Sequence, residues 1–267
     1  EKLACLTVKD SKENDEFRQL NDSLLQTPAL AVSRCKSVAF TMADKSANIV
    51  KKSFSMLNNY DEKTAQSIRK GEEDVDVYED RIGTYLVKVS SKELTDEDSH
   101  EVTKLLRLIG DFERISDHAV NLLESAEEIH DKRLQFSEED KREIGVLSSA
   151  VSEIVDLAIG AFDKDDLDMA MRVEPLEQVV DHLKEQIKLN HILRLQKSES
   201  SMEHGFVLAD VLTNLERVAD HCSNIAGCMI EMSQHEALDM HRYLGAIKSD
   251  GEDFERKYKE YRRKYSI

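Results

Sequence analysis

Four pairs of acidic residues, each an aspartate four places after a glutamate, are the part of this sequence that could do chemistry. They are Glu72 and Asp76, Glu113 and Asp117, Glu177 and Asp181, and Glu216 and Asp220. On a helix a spacing of four stacks both carboxylates on one face, one turn apart. Like charges so placed cost a bare helix about 0.2–0.5 kcal/mol, a cost that a bound cation removes. Oxygen-only ligands suit hard or borderline ions such as Fe³⁺, Mn²⁺, Mg²⁺ and Ca²⁺ better than thiophilic ones.

The pairs belong to an internal repeat. Glu113-Arg-Ile-Ser-Asp117-His-Ala-Val-Asn121 returns 103 residues later as Glu216-Arg-Val-Ala-Asp220-His-Cys-Ser-Asn224. Likewise Glu72-Glu-Asp-Val-Asp76 returns 105 residues later as Glu177-Gln-Val-Val-Asp181. The pairs of the first copy flank Leu94-Thr95 symmetrically, and those of the second flank the Ser198–Ser201 stretch. If both stretches are hairpin turns, the two pairs of each copy stand at one height, within about 5 Å. Four carboxylates then converge per copy where the pairs face one groove. His118 and His221 follow their aspartates directly and are turned about 100° away, so they read as helix-contact residues rather than ligands. Arg114 and Arg217 read as neutralising partners of the acids. A solvated acidic face is the alternative; the register shared by copies and hairpins brings metal binding level with it.

Positioning these acids requires long helices, and the apolar periodicity supplies six: 29–58, 61–91, 96–130, 138–163, 166–197 and 202–235. Val102, Leu105, Ile109, Phe112, Ser116, Ala119 and Leu123 form the seam of the third. Thr95 before Asp98 and Ser137 before Asp140 are start signals, and Pro175 predicts a kink or a late start in the fifth segment. Short polar breaks make neighbouring helices antiparallel. The fold class is therefore all-α, two tandem three-helix bundles plus a short C-terminal helix. The expected division is a linker over 1–28, repeats over 29–134 and 135–236, and a helical tail over 237–267. In that tail Phe254, Tyr258, Tyr261 and Tyr265 form an aromatic stripe amid Arg256, Lys257, Lys259, Arg262, Arg263 and Lys264. The stripe reads as packing on the acidic bundles, with an anionic membrane face or a partner domain as the alternative.

Composition agrees with helices and excludes other classes. The chain has 267 residues, 37 Lys plus Arg against 54 Asp plus Glu, and a formal charge of −17, with only two Pro and no Trp. So acidic a chain is not a non-specific nucleic-acid binder. Four cysteines (Cys5, Cys35, Cys222 and Cys228) form no CxxC pair, which argues against a disulfide framework or thiolate zinc and for a reducing compartment. No uninterrupted apolar run reaches about 18 residues. The first residue is Glu1, not Met, from which a piece of a longer protein is expected.

The tandem unit carrying Glu-Arg-x-x-Asp-His-x-x-Asn resembles the PhoU family of bacterial phosphate-transport regulators over 29–235. The resemblance implies three-helix repeats whose second and third helices hold multinuclear metal clusters on paired acidic motifs. It assigns ligation to Glu72, Asp76, Glu113, Asp117, Glu177, Asp181, Glu216 and Asp220, with iron first and Mn, Zn, Ni, Mg or Ca as alternatives. The leader Leu20-Asn-Asp-Ser-Leu-Leu-Gln-Thr-Pro-Ala29 and the end Lys-Tyr-Ser-Ile267 resemble versions fused behind a sodium/phosphate cotransporter membrane domain. That implies a regulatory domain on the cytoplasmic face of the cell membrane. Its partners would be its own N-terminal membrane domain and a second copy in a homodimer, with no nucleic acid. Two departures stand out: Glu79 becomes Lys184, and Asp111 becomes Asn214, so the second cluster is expected to bind less metal or none.

An enzyme is the competing class. A ferritin-like di-iron oxidase needs Glu-x-x-His motifs on two facing helices, but Glu97-x-x-His100 and Glu127-x-x-His130 both fall on the third. There is no Gly-rich phosphate loop, GxSxG or HExxH, so no enzymatic activity is expected. The remaining alternative is a metal-free helical scaffold or protein-docking module.

Overall fold

The computed structural model describes residues 17–197, 201–233 and 252–267, and every regular element among them is helical. The helices are α1 (Pro28–Met56), α2 (Glu62–Ser90), α3 (Asp96–Asp131), α4 (Glu138–Lys164), α5 (Val173–Gln196), α6 (Met202–Ser233) and α7 (Glu252–Lys264). A 3₁₀ turn, Asp22–Gln26, precedes α1, and a single helical turn, Leu167–Ala170, precedes α5.

Local chemistry sets the ends. Thr95 Oγ1 accepts the Asp98 N–H at 3.1 Å, and Ser137 with Asp140 forms a reciprocal capping box. Asp61 caps α2 by accepting the Thr64 N–H at 2.8 Å. Pro28 opens α1, where its fixed φ is an asset. Pro175 lies in the first turn of α5, so it marks a late start and not a kink.

α1, α2 and α3 pack together, as do α4, α5 and α6, and the two bundles meet through α3 on α6 and α1 on α4. α3 packs mainly on three helices, α1, α2 and α6, and its burial reflects that. The expected seam is buried throughout, and a second row, Leu108, Ile115 and Leu122, is buried beside it. Phe112 of α3 meets Phe162 of α4 with ring centroids 5.2 Å apart, tying the repeats together.

The α3–α6 crossing is reciprocal. His118 Nδ1 donates to Asn214 Oδ1 at 2.9 Å, and His221 Nδ1 lies 2.9 Å from Asp111 Oδ1. The two imidazoles face each other at 5.6 Å. Because Asp111 and Asn214 are equivalent positions, as are His118 and His221, the contact is a pseudo-twofold one. The histidines are helix-contact residues, as expected. Asp111 and Asn214 serve this crossing, which corrects their reading as a difference between metal clusters.

Three further stretches differ from the sequence reading or sharpen it. Residues 17–26, read as linker, pack on α2: Phe17 lies 4.7 Å from the Tyr78 ring, Arg81 covers it at 4.5 Å, and Tyr85 donates to the Asn21 carbonyl at 2.7 Å. Residues 1–16, with Cys5, lie outside the described residues. The aromatic stripe packs on the second bundle: Tyr261 and Tyr265 are buried, Arg172 Nε donates to the Tyr261 hydroxyl at 3.3 Å, and Lys264 pairs with Glu153 at 2.7 Å. The tail residues before it, 234–251, lie outside the described residues, as do 198–200 of the expected turn. α4 contains an 18-residue window of mean hydropathy 1.6, long and apolar enough to cross a membrane. It is a core helix here, with Ala150, Val151, Ile154, Val155 and Ala158 buried, and Glu153 and Asp156 paired to Lys264 and Lys51.

Cys35, Cys222 and Cys228 are buried free thiols. Burial pushes Cys35 up to about 12, Cys228 up to about 11 and Cys222 higher still, which keeps them from acting as thiolates. The Phe112–Phe162 contact gives the fold its test. Phe112→Ala is expected to cost about 3–5 kcal/mol in thermal or urea unfolding. Phe206→Ala, on an exposed ring, should change stability by less than about 0.5 kcal/mol.

Candidate metal centre

In the first repeat Val75, Tyr78, Ile82 and Leu86 anchor α2 to the core. Their periodicity leaves Glu72, Asp76 and Glu79 on the strip beside α3. On α3 the buried Ile115, Ser116 and Ala119 likewise turn Glu113 and Asp117 toward that strip. One carboxylate oxygen each from Glu72, Asp76 and Asp117 lies within 4.8 Å of the other two. Glu113 stands one turn away beside Asp117 and Glu79, outside that group of three.

The electrostatics are those of crowded anions. Partial burial pushes Glu113 up to about 7, and the Asp117 charge adds to it. Burial, then neighbouring acids, also raises Glu72, Asp76 and Glu79. Against five carboxylates stands Arg114, 3.4 Å from Glu113 and 3.5 Å from Asp117. The Arg114 and Arg217 readings hold, the latter pairing with Asp220 at 3.2 Å.

This donor set fits a cation. Oxygen ligands bind hard ions at about 2.1–2.5 Å, so opposed ligand atoms stand about 4–5 Å apart, and those of Glu72, Asp76 and Asp117 lie within 4.8 Å of one another. The chemistry available is coordination and charge neutralisation; among the described residues no activated thiol adjoins the group.

The second repeat differs. Asp181 and Asp220 are raised by burial and then by Glu216, which brings these three together electrostatically. Lys184, however, reaches into them and pairs with Glu216. Glu177, Asp181 and Asp220 line an open cleft of about 750 Å³ with His182, Arg217 and Tyr258 of α7. Among the described residues, no group as close as Glu72–Asp76–Asp117 forms from Glu177, Asp181, Glu216 and Asp220. The sequence reading missed Glu174, whose carboxylate accepts from Ser223 Oγ at 2.7 Å beside this cleft. Its place one turn before Glu177 was the available signal.

Comparison with known proteins bears on both repeats. The PhoU domain pattern matches residues 40–126 and 144–229. The phosphate-specific transport system accessory protein PhoU homolog 1 of Thermotoga maritima is 25% identical over 151 residues, 57% of this chain and 63% of that protein. The putative inorganic phosphate export protein YjbB of Salmonella typhimurium is 23% identical over 237 residues, 86% of this chain but 43% of that protein. The chain thus spans less than two thirds of the length of these relatives. Among solved structures, PhoU from Pseudomonas aeruginosa superposes with a TM-score of 0.72 at 21% identity, covering 76% of this chain and 97% of its own. The phosphate transport system regulatory protein PhoU from Streptococcus pneumoniae gives 0.70 at 16% identity, covering 80% and 100%. At these identities the structures bear on fold alone.

The raised Glu113 carboxyl sets a pH test on the metal-free protein. The folded state holds this proton up to about pH 7, whereas the unfolded chain releases it near 4.5. Between those values the folded state binds more protons, so stability falls as pH rises through the window. Thermal unfolding in chelator should give a lower Tm at pH 8 than at pH 5, with a shallower slope in Glu113→Gln. An identical slope in that variant would show that Glu113 ionises normally.

Proposed function

The chain belongs to the PhoU family, and from that premise we propose that it regulates phosphate transport as the cytoplasmic part of a sodium/phosphate cotransporter. PhoU proteins are non-enzymatic regulators. The likeness to YjbB runs across most of this chain and under half of that protein, which supports a regulatory part joined to a transporting part. The leader and the terminal Lys-Tyr-Ser-Ile267 add to that reading. Its partner is then its own membrane domain, with residues 1–28 leading from it, the repeats over 29–134 and 135–236, and the tail over 237–267. A homodimer is a further part of the proposal.

The observation that carries the mechanism is the convergence of Glu72 and Asp76 from α2 with Asp117 from α3. These residues would hold the metal, iron first, with Glu113 and Glu79 at the margin of the site. A bound ion would supply positive charge that cancels the repulsion between the two helices. The carboxylates would then bind α2 to α3 in place of pushing them apart, making the hairpin stiffer when loaded than when empty. Loading at a hundredfold excess over Kd stabilises a fold by about 2.7 kcal/mol, enough to alter how the hairpin meets a membrane partner.

Two measurements test this. Protein purified without chelator or affinity metal should carry at least one equivalent of metal by elemental mass spectrometry. Asp76→Ala with Asp117→Ala should lower that content roughly tenfold or more with helical content unchanged. In cells making the full-length transporter, the same double substitution should alter phosphate flux. Unchanged flux with native protein levels would sink the regulatory reading, and a metal-free wild type would favour a scaffold or docking module.

A further inference from the structure

The two repeats hold their acids in one register but differ in the cation they need. In repeat one the position one turn beyond Asp76 is Glu79, whose carboxylate is raised by burial and by Asp80, Asp76 and Asp117. In repeat two, 105 residues on, that position is Lys184. Its side chain is 12% exposed and its ammonium is ion-paired to Glu216, the counterpart of Glu113. The same ammonium acts on Asp181 and on Asp220, so it faces three of the four acids that the repeat contributes. Five carboxylates against Arg114 alone leave repeat one the more anionic, whereas in repeat two Glu174, Glu177, Asp181, Glu216 and Asp220 are met by both Lys184 and Arg217.

We infer that Lys184 is an internal counter-ion that takes the place of metal in repeat two, confining the chain's metal binding to repeat one. The inference rests on the metal reading of repeat one. A metal ion entering repeat two would have to displace an ammonium that is largely buried and already bonded to a carboxylate, leaving that ammonium unpaired or expelling it. If the ammonium stayed, it would repel the metal at short range. The geometry agrees: three ligand atoms close to within 4.8 Å in repeat one, and no such group forms from the repeat-two acids among the described residues. Repeat two, which carries α7, is then a bundle whose folding needs no metal. Repeat one is the metal-responsive half, and the α3–α6 crossing joins the two.

The test restores the missing acid by Lys184→Glu in the full chain, with Mn²⁺ alone as the probe and unbound Mn²⁺ read by electron paramagnetic resonance. Wild-type binding should survive Asp181→Ala with Asp220→Ala and vanish with Asp76→Ala and Asp117→Ala. Lys184→Glu should add Mn²⁺ sites, and keep them when Asp76 and Asp117 are both alanine. Loss of wild-type Mn²⁺ on replacing Asp181 and Asp220 would overturn the inference. So would a natively helical Lys184→Glu protein that gains no site. A second arm needs no metal: in chelator, Lys184→Met should lower Tm, while Glu79→Met, which thins a crowded anion cluster, should raise it. Equal effects of these two would also overturn the counter-ion role. A wild type that binds no Mn²⁺ while the second arm behaves as expected would remove the metal reading of repeat one and leave the counter-ion in place.

Discussion

Helix α3 buries Leu105, Ile109 and Phe112 along one row and Leu108, Ile115 and Leu122 along another, because it packs on α1, α2 and α6 at once. A helix enclosed on three sides leaves only a narrow face for charge, and Arg107, Arg114 and Glu124 occupy its exposed centre. Glu113 and Asp117 are therefore held on the strip that remains beside α2, where Glu72, Asp76 and Glu79 are held by the burial of Val75, Tyr78 and Ile82. The acids cannot separate without unpacking the core. Apolar burial thus raises these carboxyls first by desolvating them and then by keeping them crowded together, and a cation is the natural relief for that crowding.

The same constraint acts twice, and the copies have diverged where the chemistry is. At the crossing of α3 and α6 they remain alike, each lending a histidine to the other's Asp111 or Asn214. Inside the hairpins they differ, since a lysine in α5 stands where α2 has a glutamate. One repeat meets its acids with Arg114 alone, and the other adds Lys184 to the equivalent Arg217.

Much of this was legible in the sequence. Long stretches of a single period gave six helices close to their observed ends, and Thr95 and Ser137 marked two starts. Read from its period, α5 starts seven residues early because the turn Leu167–Ala170 keeps the helical period while the chain breaks at Met171-Arg172. The packed segment before α1 was passed over as polar, although Phe17, Leu20, Leu24 and Leu25 have helical spacing and lie partly buried on the core. The acidic pairs were visible through the repeat. Pairing by register could not show that Glu113 falls outside the group formed by Glu72, Asp76 and Asp117, because that depends on how far each side chain leans along its helix. Asp111 was misread for a reason the spacing already contained: two residues from Glu113, it points about 200° away from it, toward α6.

On the reading proposed above, cations bind repeat one between α2 and α3 and leave repeat two alone. Crystals of the protein grown or soaked with Mn²⁺, measured at the manganese absorption edge, test it most directly through an anomalous difference map. The account predicts anomalous density among Glu72, Asp76 and Asp117, and none beside Lys184 and Glu216. Density confined to Asp181, Glu216 and Asp220, or none in either hairpin at saturating Mn²⁺, would contradict it.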